Sequence, residues 1–126
     1  MQSKVFMAIQ IIAGLLLVLF GLNGFFGFLA MPKPSLQLGS WEYAVFQTGY
    51  LFPLISAIEI LAGISFVLNK FVSLMAIVLL PVMLNALLGH LFLNDVSGMV
   101  PALFEVLIII AVMIKNKNRY GEILKA

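Results

Sequence analysis

The chain has 126 residues, of which 63% are hydrophobic and 10% charged; it carries a net charge of +2, no cysteine and one histidine. A soluble domain carries about 25% charged residues, and none of this length could bury so much apolar surface, so lipid must solvate part of it. The missing cysteines exclude disulfides, thiolate catalysis and iron–sulfur ligation by this chain. A lone histidine is too little for a multi-histidine metal or haem site within one subunit, and no metal site is expected.

In chain order, residues 5–30 form an apolar stretch longer than the 7–15 residues, roughly, of a signal-peptide core, which predicts a retained membrane helix. Gln10, Gly14, Leu17, Gly21, Gly24 and Phe28 fall on one stripe at helical spacing, and small residues there permit close approach of a second helix. Met31-Pro-Lys-Pro34 breaks the helix, since proline cannot donate and restricts its predecessor. Residues 31–48 form the one sizeable loop. A short helix starting at Gly39-Ser40, with Ser40 as N-cap, would hold Trp41, Tyr43 and Phe46 at the headgroup interface.

The second span covers residues 49–68, about 30 Å at helical rise and therefore a full bilayer core. Ser56, Glu59 and Gly63 share a face, and Glu59 lies near mid-membrane, where a charge costs about 2.5–3.5 kcal/mol on insertion scales. Asn69-Lys70 is a tight turn. The third span covers residues 71–93. Pro81 in its interior frees the carbonyl of Ile77 and predicts a kink, with Asn85 one turn beyond and His90 near the end. Residues 94–98 turn, residues 99–114 form a fourth span containing Glu105, and residues 115–126 form a polar tail. Four spans leave Lys4, Lys70, Lys115, Lys117, Arg119 and Lys125 on one side and only Lys33 on the other. That bias predicts cytoplasmic termini.

The expected fold is therefore all-α: a single four-span domain, an antiparallel four-helix transmembrane bundle with one short interfacial helix in the first outward loop. Measured from the outward ends at helical rise, Asn23 lies about 10 Å deep, Asn85 and Glu105 about 12 Å, Glu59 about 15 Å and His90 about 4–5 Å. One polar residue per helix thus falls in a common layer facing a shared interior. Two carboxyls at that depth would not both ionise. The layer reads either as a pocket for a ligand or protons, with Glu59, Asn85, Glu105, Asn23, His90 and Ser56 as candidate lining residues, or as a paired network that pins the helices. His90 is either a loop contact or a relay. No nucleotide-binding or nucleophile motif is present, no cofactor motif is evident, and the short basic tail suits anionic lipid rather than nucleic acid.

Three segments resemble the DoxX family of small bacterial four-helix membrane proteins: residues 20–29, residues 49–63 with Glu59-x-x-x-Gly63, and residues 80–93 with Pro81-x-x-x-Asn85 followed by His90. The resemblance extends from Val5 to about Arg119. Relatives often carry arginine where Gln10 stands and lysine where Gly24 stands, so any cations that meet the carboxylate layer there are missing here. The resemblance implies an inner-membrane subunit associated with redox or stress-defence enzymes, some relatives resembling the membrane subunit of a thiosulfate:quinone oxidoreductase. It implies a quinone- or lipid-like ligand, and a redox enzyme subunit or a second copy of the chain as partner. Whether the chain is itself an enzyme stays open, since electrons would need a partner. A scaffold with a satisfied polar core and a small proton-coupled transporter working as an oligomer are the alternatives.

Overall fold

The computed structural model describes residues 2–125, and these are all-α. In chain order they form α1 (Gln2–Phe26), α2 (Leu36–Gln47), α3 (Leu51–Leu68), α4 (Val72–Phe92), α5 (Met99–Lys115), a 3-10 turn (Lys117–Tyr120) and α6 (Gly121–Leu124). Three helices are long and apolar enough to cross a membrane: α1 from Lys4, α3 and α4. The fourth apolar helix, α5, passes the same test only together with Lys117–Leu124, from which it is bent by 78°.

The closest packing is that of α1 on α3, and the predicted stripe is its cause. Gln10, Gly14, Leu17 and Gly21 are buried. An ideal Cβ on Gly14 would sit 2.7 Å from the carbonyl oxygen of Gly63, and one on Gly63 would sit 2.5 Å from the carbonyl oxygen of Gly14. The two backbones touch because neither residue has a side chain. Ser56 of α3 packs on Gly24 in the same way. Helix α4 packs mainly against α5, with further contacts of α3 on α4 and α1 on α5. Leu17, Ala62, Phe66, Ala76, Leu79, Ile109 and Val112 fill the space between the four helices. Leu15, Leu61, Ile64, Leu74, Leu107 and Ile110 are exposed on their outer faces, as they would be if lipid were the solvent.

Two helix boundaries and the tail differ from expectation. Helix α1 ends at Phe26 rather than at residue 30. Gly27 adopts a positive φ of 61°, its N–H bonds to the carbonyl of Asn23, and the Asn23 side chain accepts the N–H of Leu29 at 2.7 Å. The glycine stop thus acts before the prolines do, and Phe28 falls beyond the helical stripe. Helix α2 begins at Leu36, capped by Ser35, whose hydroxyl accepts the N–H of Leu38 at 3.1 Å. Ser40, the expected cap, lies inside the helix and donates to the carbonyl of Leu36. Pro32 and Pro34 hold the chain extended up to Ser35, which is the first residue free to cap. The tail is not simply polar: Tyr120 is 7% exposed and donates its hydroxyl to the carbonyl of Ser73 at 2.8 Å. Helix α4, finally, continues through Pro81 from Val72 to Phe92 as one helix.

Candidate ligand-binding cavity

A cavity of about 780 Å³ opens among α1, α2, α3, α4 and the turn before α5. Its walls are apolar and partly aromatic, built from Phe20, Leu38, Trp41, Phe52, Ile55 and Met83. Sites for drug-sized ligands span about 300–1,000 Å³ and combine such walls with a few convergent polar groups. Here the polar groups stand at two levels of α4. Asn85, with Glu59 of α3, lies at the inner level, and His90 lies five residues further on with Asp95 and Glu42. Five residues of helix put the levels about 7.5 Å apart.

The outer level is held together by Asp95. Its buried carboxylate accepts the backbone N–H of Ser35 at 2.9 Å, the backbone N–H of Gly98 at 3.1 Å and the hydroxyl of Ser97 at 3.1 Å. The imidazole Nδ1 of His90 lies 3.1 Å from Asp95 Oδ1, and the ring packs on Gly98, where any Cβ would collide with it. Ser35 also donates its hydroxyl to the carbonyl of Leu93 at 2.6 Å. One acidic side chain therefore ties the start of α2 to the end of α4. The N–H of Ser35, more than any other contact, holds the Asp95 carboxyl below the usual carboxylate range; the Gly98, His90 and Ser97 contacts add to this and burial opposes it. Burial pushes the Glu42 carboxyl up, the charge of His90 opposes that shift, and the charge of Asp95 reinforces it.

The six residues singled out from sequence divide into groups. Glu59, Asn85 and His90 line the cavity together. Glu105 does not line it. It is 2% exposed, lies within electrostatic reach of Glu59, and neither carboxyl oxygen has a hydrogen-bond partner among the described residues. Asn23 caps the end of α1 and Ser56 is buried against Gly24, so both are packing residues rather than wall residues. The common polar layer thus narrows to Glu59, Asn85 and the buried Glu105, and His90 is both a loop contact and a wall residue.

Sequence reasoning missed Ser35, Glu42 and Asp95. For Asp95 a signal existed: Asp95-x-Ser97-Gly98 is the pattern of a turn closed by its own aspartate side chain. Glu42 carries no such signal, since only the docking of α2 brings it to the cavity. Among the described residues no cluster of three or more histidine or acidic side chains is disposed to hold a metal ion. No family model, curated protein or solved structure matches the chain.

Proposed function

We propose that the chain is a DoxX-like protein of the bacterial inner membrane that binds a small apolar molecule with a polar head, quinone- or lipid-like, in this cavity and serves a redox or stress-defence enzyme as its membrane subunit. The carrying observation is the cavity itself: aromatic and aliphatic walls with Glu59, Asn85 and His90 converging on one space. A scaffold with a satisfied polar core is less well supported, because the carboxyl oxygens of the buried Glu105 have no partner among the described residues and such a group costs about 1–3 kcal/mol or more. In this reading α1, α3, α4 and α5 are the four spans of an antiparallel bundle, α2 lies at the outer interface, and both termini are cytoplasmic.

Trp41 is the only tryptophan of the chain and lines the cavity, so it reports occupancy directly. Decylubiquinone added to the detergent-solubilised protein should quench Trp41 saturably, at one ligand per chain; a brominated phospholipid in parallel tests the lipid-like alternative. Glu59→Gln and Asn85→Leu should weaken the binding about tenfold or more, the worth of one hydrogen bond to a charged or buried polar group. Quenching that rises linearly with the quinone-to-detergent ratio, identically in the variants, would mean partitioning into the micelle and no site.

Orientation is tested separately, and the cysteine-free sequence makes the assay clean. In intact cells an impermeant maleimide should label Ser40→Cys and spare Asn118→Cys. Labelling of Asn118→Cys from outside would reverse the proposed topology.

A further inference from the structure

A second, smaller cavity of about 260 Å³ lies at the opposite end of the helices, lined by Gln10, Asn69, Val72, Ser73, Lys115 and Arg119 among others. It gathers residues from α1, α4, α5, the turn between α3 and α4, and the tail. Its ring contains two cations and no carboxylate. Among the described residues neither Lys115 nor Arg119 takes part in a salt bridge.

Both cations are exposed side chains on a fixed helix end and turn. Lys115 Nζ stands 4.5 Å from the centroid of the Phe6 ring, a cation–π distance. Arg119 is brought over the cavity by the 78° bend after α5, which the buried Tyr120 fixes through its bond to the carbonyl of Ser73. The wall is polar as well as basic. Gln10 is 2% exposed and spends its amide N–H groups on the carbonyl of Phe66 at 3.0 Å and on Asn69 at 3.1 Å. The Ser73 hydroxyl is fully buried with no partner among the described residues.

Helix α4, 21 residues long, starts at this cavity without a side-chain cap. Its first N–H groups and its dipole add a positive field there. Two cations, an unpaired hydroxyl and an uncapped helix start form a site for an anion with several acceptor oxygens.

We propose that this cavity binds a phosphate group. It lies where α3 and α5 end and α4 begins, so in a membrane it sits at the depth of lipid phosphates, on the side rich in Lys and Arg. A phosphodiester of an anionic phospholipid and a free phosphate-bearing solute share this chemistry, and the test separates them.

Purified protein in dodecyl maltoside is titrated with dioleoylphosphatidylglycerol, with dioleoylphosphatidylcholine and with inorganic phosphate, following the melting temperature. Phosphatidylglycerol should raise it saturably and phosphatidylcholine should not. Lys115→Gln and Arg119→Gln should each weaken the apparent affinity about fivefold, Arg119→Lys should restore most of it, and Ser73→Ala should weaken it further. Lys125→Gln, which removes the same charge from a side chain that does not line the cavity, should leave the affinity unchanged. Saturable stabilisation by inorganic phosphate with the same variant dependence, and none by phosphatidylglycerol, supports the site and identifies the solute as its source. Equal loss of affinity in Lys125→Gln and Lys115→Gln, or no loss in Lys115→Gln and Arg119→Gln, overturns the proposal. Each variant's melting temperature without additive separates a folding defect from a binding one.

Discussion

Gly63→Val should force α1 away from α3 and cost about 3 kcal/mol or more, enough to shift melting in detergent by many degrees or to prevent isolation of a folded protein. Overpacking ordinarily costs about 1–3 kcal/mol because side chains can move aside. At Gly63 the obstacles are backbone atoms: an ideal Cβ would lie 2.5 Å from the carbonyl oxygen of Gly14 and 2.9 Å from the N of Val18. Relief requires a rigid shift of one helix, which opens the buried contacts around Leu17, Ala62 and Phe66. Gly121 is the matched control. It has helical φ and ψ and open space within 4 Å of where a Cβ would stand, so Gly121→Ala should be neutral or slightly stabilising. Wild-type melting of Gly63→Val would show that α1 and α3 are not held by this contact.

Asp95→Ala should release α2 and with it the roof of the cavity. The substitution leaves the N–H groups of Ser35 and Gly98, the Ser97 hydroxyl and the His90 imidazole without their acceptor. Each buried donor left unpaired costs about 1–3 kcal/mol, and those that reach water recover part of it, so a loss of about 2–4 kcal/mol is expected. Trp41, carried by α2, should shift its emission to the red, and quinone quenching should fail even though Glu59 and Asn85 are intact. The same residue sets a pH limit. Its carboxyl is held below the ordinary range in the folded state, so its stabilisation is complete above the unfolded value of about 3.9. That stabilisation is lost as pH falls through the folded value. Glu42 works in the opposite sense: its carboxyl is raised by burial, so its contribution favours the fold at low pH and is lost as pH rises through the folded value. Acid release of α2 below about pH 4 should therefore vanish in Asp95→Asn and keep its slope in Glu42→Gln, because the Glu42 contribution is already complete there. An Asp95→Asn protein with the wild-type acid profile would show that another group governs this limb.

The apolar runs and the helical period by themselves determined that the chain is all-α and has helices fit to cross a membrane, because lipid exposure demands long uninterrupted apolar helices whatever their neighbours do. The glycine stripe of α1 was legible too, since close approach needs small residues at helical spacing. Helix ends were less so: Gly27 stops α1 ahead of the prolines, and Ser35 displaces Ser40 as the cap of α2. What tertiary structure alone decided is which polar residues share a space. In the sequence Asn23, Ser56, Glu59, Asn85 and Glu105 look equivalent, each one polar group on an apolar helix. Rotation of each helix about its axis sends Glu59 and Asn85 to the cavity, buries Glu105 behind it, and assigns Ser56 to the seam with α1. The sites at the two ends depend on contacts between residues far apart in the chain, Ser35 with Asp95 and Ser73 with Tyr120. No local pattern encodes such pairs, because they form only once the packed helices have brought the two loops, or the tail and the start of α4, to the same end of the molecule.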